Sequence, residues 1–473
     1  MTSASAASRA EQRFDPKFAT NGDTQGASIL VEALGAQDVS QGSEEENKNP
    51  EIREMIGRDT MITPSGPYNG DPGGSIFVRE NLAKNYWDSF RINVHPEQTF
   101  AFQTLGRSVI EEAYKIAGES VLRRDFDGAV DITLRRPDPF ILLEDLGWGI
   151  LDNLAKDNRL NVGKFEHFSE DLVQEIESKI MQYGPENIAA IVMNRPHNPT
   201  GKEIGVEETR RFMQMMDRIN EKFGTDIHVI FDVPYVFGCD VGEDEHGPYL
   251  KTGLENVLNE NWKTKWVVCN TMGKELALAA HGMANVACSP TYPIERLIKR
   301  TVNNGKGIAR NDQFVINAAD YLGNDNYSAL KWQNRSELHD KYVAGSRALA
   351  GLLPNNMLPG GPNMLLETAQ FNRCDFEGRV FDGRYGKWTI GESGNVTRDL
   401  VTCLGHEFNV VPVAQPFLNA AFDNSIFLRF AKKMTPDRLI PAIEDAHKGL
   451  CAISGKSSSE LGRLVDGRTL VAT

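Results

Sequence analysis

The chain has no apolar run approaching the roughly 20 residues needed to cross a bilayer, and its mean hydropathy is −0.38. A membrane-spanning protein is therefore not expected. It also lacks an excess of positive charge: 51 Lys and Arg face 65 Asp and Glu, a formal net charge of −14. A general nucleic-acid binder needs a basic surface to displace counterions from phosphates, so no nucleic-acid partner is expected. The six cysteines (Cys239, Cys269, Cys288, Cys374, Cys403, Cys451) are scattered, with no C-x-x-C pair and no histidine cluster at metal-ligand spacing. Neither a structural metal nor a disulfide framework is expected from them. The N-terminus lacks the apolar stretch of a secretory signal, and Glu11 and Asp15 come too early for a transit peptide, so the expected location is cytoplasmic. The sequons at Asn326, Asn334 and Asn395 are then expected to be inert. No internal repeat is visible.

What is present is a chain of 473 residues, 40% hydrophobic and 25% charged, which is ordinary globular usage at a length beyond a single core. The small polar start and the acidic segment QGSEEENKNP read as an arm, partly disordered, over residues 1–60. A turn-rich piece, TPSGPYNGDPGGS, leads into IFVRENLAKNYWDSF, whose apolar spacing predicts a helix. Short apolar runs then alternate with helical stretches such as 206–223. The clearest strands are PFILLE (139–144), IAAIVM (188–193), IHVIF (227–231) and WVVC (266–269). Continuously apolar short strands separated by helices predict an α/β fold with a mainly parallel sheet covered on both faces. This large domain is placed at 61–310. Residues 311–473 are expected to form a smaller α+β domain, with a late strand at 425–431, a helix opening at Thr435-Pro436, and a frayed tail.

In open α/β sheets ligands sit at the carboxyl ends of the strands, and four strands here are followed by polar residues. PFILLE leads to Asp145-Leu146-Gly147-Trp148-Gly149, and IAAIVM to Asn194-Arg195-Pro196-His197-Asn198-Pro199-Thr200-Gly201. IHVIF leads to Asp232-Val233-Pro234-Tyr235, and WVVC to Asn270-Thr271-Met272-Gly273-Lys274. Alone, an NPTG string is a turn, and a lysine after a strand is a solvated surface residue.

In combination, HNPTG, then Asp-x-x-Tyr after a strand, then Lys after the next strand resembles the fold-type I pyridoxal-phosphate enzymes of the class I/II aminotransferase family, from about residue 68 to the C-terminal helix. The resemblance implies pyridoxal 5'-phosphate held by Lys274, with a mainly parallel seven-stranded-type sheet. A lysine amine forms an imine with an aldehyde cofactor and afterwards serves as acid and base at the substrate carbon. Asp232 would hold the pyridine nitrogen protonated, because an opposite charge favours the ionised form. Asn198 and Tyr235 would hydrogen-bond the ring's phenolate oxygen, and Trp148 would stack on the ring, although a tryptophan between glycines can also be simple core. Gly106 and Arg107, opening the helical run VIEEAYKIA, correspond in place to the phosphate loop, and Thr271 to a hydroxyl on the same phosphate. Tyr68 resembles a tyrosine donated by the neighbouring subunit, which implies a homodimer. For a substrate carboxylate the resemblance implies an arginine on the late strand. Arg429 fits when counted from Thr435, Phe427 when counted from Phe430-Ala431, and Asn198 would assist there.

Three positions depart from the family pattern: Gly282 stands where an arginine phosphate clamp is usual, Gly273 where a serine is common, and Pro234 lies inside Asp-x-x-Tyr. The expected activity is transfer of an amino group between an amino acid and a 2-oxo acid. Two alternatives stay open at this point. One is an eliminating, decarboxylating or carbon–carbon bond-forming relative acting on an amino acid or sulfonium amino acid. The other is a non-catalytic or regulatory protein on the same fold. The substrate's identity is not encoded in any short motif.

Overall fold

The structure is a computed structural model, and it describes residues 37–38, 76–102, 104–123, 138–167, 169–198, 200–275, 284–303, 332–333, 335–337, 339–340, 343, 363–394, 396–408, 410–411, 413–414, 425–431 and 436–456. The arm apart from residues 37–38, Tyr68, Gly282 and the tail beyond 456 lie outside these residues. The chain divides into two compact units, one of residues 43–340 and one of residues 1–42 with 341–473.

The larger unit is built on a seven-stranded sheet. Its strands are β1 (Thr99–Phe102), β2 (Phe140–Glu144), β3 (Asn161–Phe165), β4 (Ile188–Asn194), β5 (His228–Asp232), β6 (Trp266–Thr271) and β7 (Ala284–Cys288), in the order β1-β7-β6-β5-β4-β2-β3. β2 to β6 run parallel, whereas β7 is antiparallel to both β1 and β6. The four strands expected from apolar runs are present. β1, β3 and β7 carry Thr, Gly, Lys or Asn within short runs (TFAF, NVGKF, ANVAC) and were not legible as strands.

Alternate residues of each strand feed two cores, one on each face. Ile141, Leu143, Ala190, Val192 and Ile230 pack with the helix α1 (Gly106–Arg123), through Val109, Ile110, Ala113 and Tyr114. Leu142, Ile191, Met193, Val229 and Phe231 pack on the other face against α3 (Leu172–Tyr183) and α4 (Val206–Phe223). The short α2 (Ile150–Asp157) follows β2, α5 (Met272–Glu275) follows β6, and α6 (Ile294–Asn303) follows β7. Every residue of β4 and β5 is buried. At about 1.5–3 kcal/mol per fully buried large apolar side chain, this two-sided burial fixes the registers that place the strand ends.

The helix expected over 76–90 is more irregular than its periodicity suggests. It runs as α-helix over Ile76–Asn81, a π turn over Leu82–Tyr86 and a 3-10 turn over Trp87–Phe90, and stops at Arg91 with φ 53°. Tyr86 and Trp87 are adjacent, yet both are fully buried, with Phe90 packed on each at 5.1 and 5.4 Å between ring centres. A regular α-helix would splay neighbouring side chains apart by about 100°, so the backbone departs from it to bury both rings.

In the smaller unit, β8 (Asn363–Asn372), β11 (Val413–Ala414) and β12 (Ser425–Ala431) form an antiparallel sheet, and β9 (Val380–Gly383) and β10 (Gly386–Thr389) form a hairpin. Helices α7 (Val396–Phe408) and α8 (Pro436–Ser454) accompany them, α8 opening on the expected proline. Among the described residues no helix is long and apolar enough to cross a membrane.

Candidate functional site

Parallel pairing brings the carboxyl ends of β4, β5 and β6 side by side: Asn194 pairs with Asp232, and Asp232 with Cys269. Three expected residues leave this edge together. Asp232 is the last residue of β5 and is buried; Tyr235 follows three residues later, 6% exposed; Lys274 sits on the single turn α5 directly after β6. Lys274 Nζ donates to Tyr235 Oη across 2.7 Å and lies 4.1 Å from the centre of the Tyr235 ring.

Burial is the main influence on the Asp232 carboxyl, pushing its pKa up to about 7, while the charge of Lys274 and a hydrogen bond from Asn194 pull it back and the charge of Glu144 pushes it further up. Among the described residues the only donor to this carboxylate is Asn194 Nδ2, 2.9 Å from Oδ2. A buried carboxyl with one donor is suited to meeting a cation that arrives with a ligand. Tyr114 of α1, whose hydroxyl is buried without a hydrogen-bond partner among the described residues, senses the charge of Asp232 as well.

Asn198 is placed by Asn194. The Asn194 side chain donates through Nδ2 to Asp232, and its Oδ1 accepts from the Asn198 backbone N–H at 2.6 Å. The rest of the expected turn closes through Gly201 N–H to His197 O (2.7 Å) and His197 N–H to Lys202 O (2.9 Å). Gly201 has φ +74°, a conformation that strains any residue with a Cβ.

The helix α1 begins at Gly106, and its first turn holds no acidic residue, leaving the positive end of the helix dipole uncompensated. A Cβ at Gly106 would meet Asn270 O and Thr271 Cβ at 3.9 Å. Gly106 thus stands beside Asn270 and Thr271, with room for a Cβ at ordinary contact distance. Arg107 is exposed on the same turn. Backbone N–H groups, the Thr271 hydroxyl and a nearby arginine form a donor set suited to a phosphate. Trp148 lies on the β2–α2 loop, partly buried against the α1-side core. Arg429 lies in β12 opposite Leu365 and Val413, in the smaller unit.

Sequence reasoning missed a buried polar cluster on the opposite face of the strand ends. Arg195 Nη1 donates to Glu144 Oε1 at 2.7 Å and to Asn194 O at 2.5 Å. His167 Nδ1 lies 3.0 Å from Glu144 Oε1, and His197 Nε2 3.5 Å from Glu144 Oε2. The two imidazoles stack at 3.6 Å between centres. Burial opposes the charge on Glu144, but Arg195, His197 and His167 overcome it and hold the carboxyl below the usual carboxylate range. Burial likewise lowers the pKa of both histidines. Thr200 Oγ1 touches His167 Nε2 (3.0 Å) and His197 Nδ1 (2.8 Å). Its one hydrogen serves one ring nitrogen at a time, and its oxygen can accept from the other where that ring's tautomer places a hydrogen there.

Glu144, His167 and His197 bring potential metal-ligand atoms within 4.8 Å of one another. Arg195 already pairs with Glu144, and Leu146 O accepts from His197 Nε2 at 2.7 Å, so the carboxylate is compensated within the protein. The signal that could have exposed this cluster is a glutamate ending an otherwise apolar core strand.

Residues 127–311 match the family described as aminotransferase class I and II. No curated protein matches the chain. Among solved structures, the chain is similar to the aspartate aminotransferase of Thermus thermophilus with maleate, at 16% identity and TM-score 0.65, over 93% of this chain and 98% of that one. The aspartate aminotransferase of Thermotoga maritima gives 15% identity and TM-score 0.64, over 93% and 99%. The aromatic aminotransferase of Pyrococcus horikoshii gives 16% identity and TM-score 0.59, over 89% and 98%.

Proposed function

We propose that this chain, which has the type I pyridoxal-phosphate fold of the class I and II aminotransferases and their sequence pattern over residues 127–311, moves an amino group between an amino acid and a 2-oxo acid. The observation that carries the proposal is the Lys274–Tyr235 pair beside the buried Asp232. Pyridoxal phosphate supplies an aldehyde that condenses with amines and a ring that accepts the electron pair left when a bond to the amine-bearing carbon breaks.

The chain's own residues divide the remaining work. Lys274 provides the amine that holds the cofactor and, when freed, a base that takes and returns a proton at the substrate carbon. Tyr235 orients Lys274 and, with Asn198, faces the cofactor's hydroxyl edge. Asp232 pairs with the ring nitrogen, whose positive charge would return the carboxyl to its ionised form. Gly106, Arg107 and Thr271 hold the phosphate, and Trp148 covers the ring. Arg429 binds the substrate carboxylate through its two-pronged guanidinium, with Asn198 assisting. The active form is proposed as a cytoplasmic homodimer in which Tyr68 reaches the neighbouring site.

The test incubates cofactor-loaded protein with single amino acids in the absence of any oxo acid. The bound cofactor's absorbance should change to that of its amine form with stoichiometric release of oxo acid. Consumption of the amino acid with release of ammonia, carbon dioxide or an eliminated group instead would replace amino transfer by another reaction of the same cofactor. Failure of the protein to bind pyridoxal phosphate would refute the reading altogether.

A further inference from the structure

The last residue of β4, Asn194, joins two residues with assigned roles, Asp232 and Asn198. Its Nδ2 donates to Asp232 Oδ2 (2.9 Å) and to Asp232 O (3.0 Å). Its Oδ1 accepts from Asn198 N–H (2.6 Å), its backbone O accepts from Arg195 Nη1 (2.5 Å), and its backbone N–H points to Glu144 Oε2 (3.4 Å). The residue itself is 5% exposed. A primary amide has two donor hydrogens and one acceptor oxygen, and all of them are spent on two residues proposed to meet the cofactor at different edges.

We propose that Asn194 is a positioning residue that fixes the Asp232 carboxylate relative to Asn198 and tunes the proton affinity of Asp232, with the buried Glu144–Arg195 pair as the anchor that holds Asn194 in place. The inference rests on the proposed function only for its cofactor arm, because the Asn194–Asp232 bond exists in the protein itself.

The amide favours the ionised carboxylate, since it donates to it and makes no comparable bond to the protonated oxygen. Among the described residues, the groups that interact electrostatically with Asp232 are Lys274 from α5, Asn194 from β4, Glu144 from β2, Tyr114 from α1 and Cys269 from β6. Of these, Lys274 and Asn194 stabilise the charge, whereas Glu144 opposes it. Asn194 and Glu144 therefore act on Asp232 in opposite directions. A residue with a merely structural role would have no such sign.

Two variants at the position separate these effects. Asn194→Ala removes the donor, and Asn194→Asp keeps the shape while placing a second carboxylate against Asp232. In the cofactor-free protein, the pH dependence of unfolding free energy reports the Asp232 titration, identified as the part of the profile that Asp232→Asn abolishes. The midpoint should rise by about one pH unit in Asn194→Ala and further in Asn194→Asp, whereas Glu144→Gln should lower it. In the loaded protein, Asn194→Ala should weaken pyridoxal phosphate binding about tenfold and raise the pH at which the bound cofactor's absorbance changes.

A uniform loss of stability with an unmoved Asp232 midpoint in both Asn194 variants overturns the positioning role. If the unsubstituted protein takes up no pyridoxal phosphate, the functional reading falls, and the cofactor-free titration still decides whether Asn194 tunes Asp232.

Discussion

Lys274 Nζ donates to Tyr235 Oη at 2.7 Å, and the same nitrogen stands 4.1 Å from the centre of the Tyr235 ring. The phenol thus restrains both the direction and the distance of the Lys274 amine. Borohydride reduction of the loaded protein should therefore fix the cofactor to Lys274, read as a mass increment on the peptide containing it. Lys274→Ala should show no increment and lose about 10²- to 10⁴-fold in turnover, and an increment on another lysine would move the site.

Removing only the hydroxyl tests the restraint separately from the amine. Tyr235→Phe should keep covalent attachment to Lys274 while lowering kcat about 10- to 100-fold, the worth of one hydrogen bond to a charged group. It should also shift the pH at which the bound cofactor's absorbance changes. Unchanged kcat and spectrum would show that Tyr235 is only a packing partner.

Asp232 makes stability and function pull apart. Its folded pKa, pushed up to about 7, lies above the value of 3.8 for an unperturbed aspartate. The protonated carboxyl is thus the better tolerated form, and its contribution to stability, full below about pH 4, is lost as pH rises through about 7. Asp232→Asn should leave the cofactor-free protein more stable than the parent at pH 8, by on the order of 3–4 kcal/mol, with the difference vanishing near pH 4. The same variant should lose cofactor affinity and turnover. Chemical denaturation at the two pH values checks the sign.

Glu144 behaves in the opposite way. Its pKa is held below the usual carboxylate range by Arg195, His197 and His167 against the push of burial. Its stabilisation is present above about pH 4.5 and is lost as pH falls. Glu144→Gln leaves Arg195 charged and buried, so it should cost about 3–5 kcal/mol near neutral pH and less in acid. Addition of zinc to the parent should leave its melting temperature unchanged, because Arg195 already compensates the Glu144 carboxylate; a rise with zinc would establish a metal site instead.

At the start of α1, Gly106→Asp would put a negative charge in the space beside Thr271. The helix should still form, since the nearest atoms to a Cβ there are 3.9 Å away and an acidic residue suits a helix N-terminus. Pyridoxal phosphate binding should nevertheless weaken at least about tenfold, with the binding of phosphate-free pyridoxal much less affected. Equal loss for both would place the phosphate elsewhere.

Much of the candidate site is legible in the sequence, because a parallel sheet buried on both faces writes its strands as apolar runs and its ligand edge as whatever follows them. β4, β5 and β6 follow that rule, and so Asn198, Asp232, Tyr235 and Lys274 stood out. β7 was not legible because ANVAC carries Asn285 at a fully buried position, which breaks the run. The Glu144 cluster was hidden for a different reason. His167 is 23 residues from Glu144 in sequence and Arg195 is 51 away, so only the β2–β3 and β2–β4 pairings bring them together. Asn194 stands in the sequence as one polar residue among several; its importance lies in three side-chain hydrogen bonds that no spacing rule encodes.

The pairing of Asn194 with Asp232 on adjacent strands has an outcome for how the protein can be assayed during assembly. Side chains alternate between faces, so a slip of one residue between β4 and β5 would send one of the two to the far side of the sheet. A misaligned chain could still be compact and rich in helix, yet it would hold no carboxylate opposite the amide. The colour of the bound cofactor would then serve as a reporter of strand alignment, appearing in refolding only when two segments 38 residues apart have found the right offset.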